Sequence, residues 1–247
     1  MKKQFENNNF ILYSPDTLKY ITNNMKDILN NSLELYKKLF CIKEYRQVQI
    51  NYFDDIISFR KFIYDLRKEK ESLPKYAKGT FDKGMINAYI EKDIEINSAL
   101  YHKKLYMASH ELFHIMYDEL ILKKYNYNRI VWFDEGMAEF FSGEYDKEIN
   151  SNFDKWFIEV FKNTKKIPDL NKLDHGNNFE TIEYSGYNLS LLSIKYLYDT
   201  LGFNKLVKLL YSNKIERYGK TIVKDAFEYY KKTFSINCWT FLVYSAI

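Results

Sequence analysis

At 247 residues, with 37 basic against 33 acidic side chains and a net charge of +4, the chain is long enough to bury a large core. It carries no basic block of the kind a nucleic-acid partner calls for. Cys41 and Cys238 stand far apart in sequence, so neither a thiolate metal site nor a disulfide framework is expected. Met1-Lys2-Lys3 runs into Glu6 and three asparagines without an apolar core, which argues against a signal peptide and for a cytoplasmic chain.

Taken in order, Phe10 to Tyr13 reads as a short strand. Ser14-Pro15-Asp16 then opens a helix, with Ser14 as N-cap and Pro15 at its first position. That helix is expected to reach about Phe40, with Leu18, Ile21, Met25, Ile28, Leu29, Leu33 and Tyr36 on its inner side. Val48, Ile50 and Tyr52 alternate with polar residues as a half-buried strand does, and a second helix follows from about Asp55 to Lys70. Ser72 to Lys83, with Pro74 and Gly79, reads as a loop, Met85 to Ile90 as a strand, and Glu91 to Asn97 as a polar connection.

The chemistry is concentrated in what comes next. His110-Glu111-Leu112-Phe113-His114 puts two histidines at i and i+4 of a helix, one turn apart on the same face, as the first two ligands of a tetrahedral metal require. Leu105, Ala108, Leu112 and Ile115 form the opposite, packed stripe, and Glu111 is turned off the ligand face, within reach of a metal-bound water. A catalytic zinc site takes one more protein ligand. Glu135 is the candidate, in Trp132-Phe133-Asp134-Glu135-Gly136-Met137-Ala138-Glu139-Phe140-Phe141-Ser142-Gly143. This segment reads as helical from Asp134 as N-cap, with Glu139 one turn beyond Glu135 and suited to accept a hydrogen bond from a ligand histidine.

This pair of motifs resembles the gluzincin zinc metallopeptidases, and the wording of the second is most similar to the catalytic domain of the clostridial collagenases. The resemblance implies an α+β, zincin-like (thermolysin-like) fold. An N-terminal lobe over 1–119, a mixed sheet with helices, would end in the active-site helix, and a mostly helical lobe over 120–247 would carry the third ligand, Glu135. It implies one zinc ion, a peptide or protein substrate, and Glu111 as general base. The collagenases are secreted and far longer, so an extracellular-matrix substrate is not expected here. In these enzymes the edge strand beside the metal helix binds substrate as an added β-strand, a role that falls on Gly84-Met85-Ile86-Asn87, the alternative being an ordinary sheet strand. Aminopeptidase relatives carry a Glu in this element that holds the substrate amine; its absence favours an endopeptidase.

Beyond the motifs, Tyr125 to Asn128 reads as a turn and Phe153 to Phe161 as an amphipathic helix. Ile167 to Asn178 is the longest irregular stretch, and its His175 is either an oxyanion donor or a solvent-facing loop residue. Tyr184-Ser185-Gly186-Tyr187, then a helix ending at Leu201-Gly202, resembles the gluzincin element whose tyrosine stabilises the oxyanion; Tyr187 and Tyr184 are both candidates. Phe203 to Tyr211 and Thr221 to Phe234 read as amphipathic helices, and the apolar Ile236 to Ile247 is too short to span a bilayer. The competing functional readings are a catalytically silent or regulatory zinc-binding protein, and an aminopeptidase.

Overall fold

The computed structural model describes residues 1–68, 73, 77–175 and 178–234. Over these the chain is α+β, with a five-stranded mixed sheet and a mostly helical remainder. By packing it divides into two units, Met1–Tyr127 with Phe141–Glu148, and Asn128–Phe140 with the described residues from Ile149 onward. No described helix is long and apolar enough to cross a membrane.

The first unit begins with β1 (Lys2–Glu6) and β2 (Phe10–Ser14). A 3-10 turn over Asp16–Ile21 then leads into α1 (Thr22–Leu39). β3 (Val48–Phe53), α2 (Ile56–Arg67), β4 (Gly79–Asp82), β5 (Met85–Tyr89) and α3 (Ala99–Tyr117) follow. The strand order is β1-β2-β3-β5-β4. β2, β3 and β5 run parallel, joined by helical crossovers, and β1 and β4 flank them antiparallel.

Two of these strands depart from the sequence expectation. β1 was hidden by its lysines, which a strand paired on one side only can leave in solvent. The expected loop over 72–83 ends in β4, because Asp82 pairs with Met85 across a two-residue turn, Lys83-Gly84. Both turn residues have positive φ, 48° and 74°, the conformation that matches the twist of a tight hairpin.

Residue parity sorts the faces of the sheet. Ile50, Tyr52, Ile86 and Ala88 are in register on one face and fully buried. On the other, Phe53 packs with Phe59 and Ile63 of α2 and with Tyr89. Next to Phe53 and Tyr89 on the same face is a polar pair: Asn51 Nδ2 donates to Asn87 Oδ1 at 2.8 Å, both side chains being buried.

α3 is held by α1 through Tyr36, whose hydroxyl donates to the Ser109 carbonyl at 3.1 Å, and through a 2.6 Å bond from Ser109 Oγ to Ser32 Oγ. The edge of Phe113 meets Tyr36 with centroids 5.6 Å apart. Burying one such aromatic stabilises by about 1.5–3 kcal/mol. Leu105, Ala108, Leu112 and Ile115 are buried as expected, and so are Ser109, Phe113 and Met116, so the helix is covered on more than one side. It continues as a π-helical turn over Asp118–Leu122 into the short α4 (Lys123–Tyr125), ended by Asn126 at φ 53°. Glu119 fastens this end, accepting from Tyr45 at 2.6 Å and from Arg46 Nη2 at 2.6 Å, while Arg46 Nη1 also donates to the Gly84 carbonyl.

The second unit contains most of α5 (Val131–Phe141), then α6 (Phe153–Asn163), a 3-10 turn over Leu170–Lys172, α7 (Gly186–Leu201), α8 (Phe203–Leu210) and α9 (Ile222–Thr233). Phe157 is the centre of its aromatic core, in ring contact with Phe227 and Tyr230 of α9. Gly202, at φ 78°, ends α7 where expected. The apolar residues 236–247, and Cys238 among them, lie outside the described residues, as does Pro74.

Candidate metal centre

His110 and His114 project from α3 one turn apart, with Nε2 atoms 2.9 Å from each other. His114 is 4% exposed, and Phe81 of β4 lies over its ring with centroids 6.2 Å apart. The ligand atoms of His110, His114 and Glu135 all lie within 4.8 Å of one another. This donor set could hold a metal ion. Two imidazoles and a carboxylate form a known three-ligand set for catalytic zinc. Tetrahedral coordination asks for nitrogens about 3.3 Å apart, so the two rings need to separate by only a few tenths of an ångström. The set therefore fits zinc.

Glu111 is next to His110 on α3 and 9% exposed. A side chain at residue 79 would come within 2.8 Å of Glu111 Oε1 and of Met107. Gly79 thus lets the start of β4 pass directly against this carboxylate. Behind it, burial pushes the Tyr52 hydroxyl well above its usual pKa, and the charge of Glu111 acts in the same direction, so Tyr52 stays neutral.

The segment that carries Glu135 is fixed by packing within the second unit. α5 begins at Val131, three residues before the expected Asp134 cap. Asp134 is fully buried and paired with Arg129 Nε at 2.6 Å, so its carboxylate faces a cation rather than the helix end. Trp132 is fully buried, and its indole N–H donates to Asn171 Oδ1 at 3.2 Å. Asn171 in turn donates to the Glu216 carbonyl at 2.7 Å. Gly136 faces α7 so closely that a Cβ there would stand 2.6 Å from the Ser190 carbonyl oxygen. The glycine after Glu135 is therefore a packing requirement between two helices. Glu139 is half-buried one turn further along.

The expected substrate strand needs correction. Gly84 is a turn residue, and Met85, Ile86 and Asn87 lie in β5, hydrogen-bonded to β3 on one side and to β4 on the other. An interior strand has no free backbone groups to offer a substrate. The sheet ends at β4, so the edge position passes to Gly79–Asp82.

Of the two tyrosines, Tyr184 donates its hydroxyl proton to the Asn178 carbonyl at 3.0 Å. That commits its single O–H. Tyr187 lies in the first turn of α7, its ring edge-on to Phe179 at 4.8 Å. The turn is capped by Ser185, which accepts from Asn188 N, and by Glu180, which accepts from Ser185 Oγ at 2.7 Å. His175 is not a bystander: its Nε2 lies 3.1 Å from Glu135 Oε1. No sequence pattern could have given that contact, because the two residues are joined only by the fold. No protein-family model matches the chain, and no curated protein matches it.

Proposed function

We propose that this chain is a zinc-dependent peptidase with a zincin-like fold of the gluzincin type, cleaving peptide bonds by attack of an activated water. The observation that carries the reading is the convergence of His110, His114 and Glu135 with a buried carboxylate, Glu111, beside the first of them. A purely structural metal site has no use for such a base, and is usually closed by four protein ligands.

In this reading His110, His114 and Glu135 hold one zinc ion. The ion, when bound, lowers the pKa of a water toward neutrality and polarises the scissile carbonyl. Glu111 accepts the proton of the attacking water and returns it to the leaving amine. Tyr187, in the first turn of α7, donates to the developing oxyanion. Glu139 steadies a ligand histidine. The peptide lies along β4 as an added strand, with backbone hydrogen bonds supplying affinity independent of side-chain identity. Gly79, lacking a side chain, lets β4 run directly against Glu111. The carboxylate of β4, Asp82, is already paired with Arg67 at 2.7 Å rather than held for a substrate amine, and the reading is an endopeptidase.

The test is zinc content and cleavage of a peptide library, for wild type beside Glu111→Gln and Glu135→Ala. Wild type should carry one zinc per chain and cleave amine-blocked and free peptides alike. Glu111→Gln should keep the zinc and lose about 10²–10⁴-fold in kcat. Glu135→Ala should lose both. Stoichiometric zinc with no cleavage of any peptide would move the assignment to a regulatory zinc protein, and cleavage confined to free amines would make it an aminopeptidase.

A further inference from the structure

His175 stands in irregular backbone after the Leu170–Lys172 turn, yet its ring is not left to solvent. It packs on Phe179 with centroids 5.2 Å apart, and Phe179 is closed on another side by the edge of Tyr187. The Phe179 carbonyl accepts the Gly186 N–H at 2.7 Å, and a side chain at 186 would collide with that carbonyl. The imidazole is thus tied, through one aromatic ring, to the first turn of α7. From there its Nε2 reaches Glu135 Oε1 at 3.1 Å.

Glu135 is 4% exposed. A carboxylate that far from water needs hydrogen-bond donors, and a ligand carboxylate needs a fixed orientation as well. An N–H on one oxygen meets both needs and lets the group ligate through the other oxygen without giving that bond up. Neutral imidazole with its proton on Nε2 makes this bond, and so does imidazolium. We infer that His175 is a positioning residue for the third metal ligand: its Nε2–H holds Oε1 of Glu135 and so sets the carboxylate for metal binding. This rests on the zinc reading above. The rival role is a fourth ligand. The mutually close set of ligand atoms consists of His110, His114 and Glu135, and His175 meets that set through the Glu135 carboxylate.

The experiment is zinc competition against a chromogenic chelator on the full chain, with visible spectra of the cobalt-substituted proteins. Three proteins are compared, wild type, His175→Ala and His175→Gln. His175→Ala should bind zinc about 10–100-fold more weakly, and His175→Gln should recover much of that loss because its amide N–H can donate. The cobalt band positions should be the same in all three, since the ligand set is unchanged. Should the alanine protein not fold, His175→Met, similar in bulk and without an N–H, replaces it. Equal zinc affinity with and without a donor at 175 would overturn the positioning role and leave the zinc reading standing. A cobalt spectrum that loses a nitrogen ligand in the variants would make His175 a ligand and overturn it too. No zinc binding by wild type would overturn the metallopeptidase reading itself.

Discussion

Helices α3 and α5 both carry candidate ligands, but His110 and His114 owe their spacing to the helix that bears them, whereas Glu135 owes its place to contacts from outside its own helix. On α3 the 3.6-residue period alone stacks the two imidazoles, and the surrounding core has only to keep the helix in place. On α5 four attachments converge from residues 129, 171, 175 and 190: the Arg129 pair with Asp134, the Asn171 bond to Trp132, the His175 contact with Glu135 itself, and the Ser190 backbone against Gly136. A half-site can thus be written locally, and completing it takes tertiary structure.

Removing a local ligand should have the largest effect. In His114→Ala zinc should be absent from the purified protein and cleavage should fall to background, with the fold intact by circular dichroism. Retained stoichiometric zinc would remove α3 from the metal site. A smaller and more telling effect is expected from Gly136→Ala, which changes no ligand. The added methyl meets a backbone carbonyl that cannot rotate away, so about 1–3 kcal/mol of stability should be lost by overpacking, and zinc should bind more weakly because Glu135 moves with α5. A variant with lower thermal stability but unchanged zinc affinity would show that Glu135 does not depend on that helix contact.

The smallest effect belongs to the far end of α3. Burial works to raise the Glu119 carboxyl pKa, and the hydrogen bonds from Arg46 and Tyr45 outweigh it, so the group is held below its ordinary range. A folded-state pKa depressed in this way stabilises the protein above the unfolded value, and the contribution is lost as pH falls through the folded one. Glu119→Gln should therefore cost about 0.2–1 kcal/mol at pH 7 and nothing once the wild-type carboxyl is protonated, with zinc binding at pH 7 unchanged. Chemical denaturation of both proteins between pH 7 and pH 3 measures this.

What could be read in the sequence follows the same division. The strand at Val48, the long helix ending near Phe40, the two histidines one turn apart on α3 and the glycine ending α7 are all local patterns, and the structure contains each of them. β4 was missed because four residues are too few for alternation to register, and its identity depends on the strand it pairs with. The edge of the sheet is not legible for the same reason: nothing in Met85 to Tyr89 says whether its neighbours lie on one side or both. Asp134 looked like a cap because caps are its commonest use, and only the approach of Arg129 makes it a buried ion pair. For His175 the sequence offers an oxyanion donor or a solvent-facing residue but not the contact with Glu135, since an isolated histidine in a loop is compatible with almost any surroundings.

The buried Asn51–Asn87 pair has a consequence for how the sheet finds its alignment. The two residues are 36 apart in sequence, on parallel strands that α2 and β4 separate, so no tight turn sets which residue of β3 faces which of β5. Valine, isoleucine and phenylalanine would tolerate a slipped pairing nearly as well as the correct one. Two carboxamides would not, because a slip of one residue sends one of them to the opposite face and breaks the buried bond between them, leaving Asn51 only the 2.9 Å bond from Gln49 Nε2 on its own strand. A mismatched sheet is thereby penalised more than the correct one, in which Asn87 Nδ2 alone of the bonded pair's amide nitrogens stays without a partner, and the alignment this pair favours also sets where β4 stands beside Glu111.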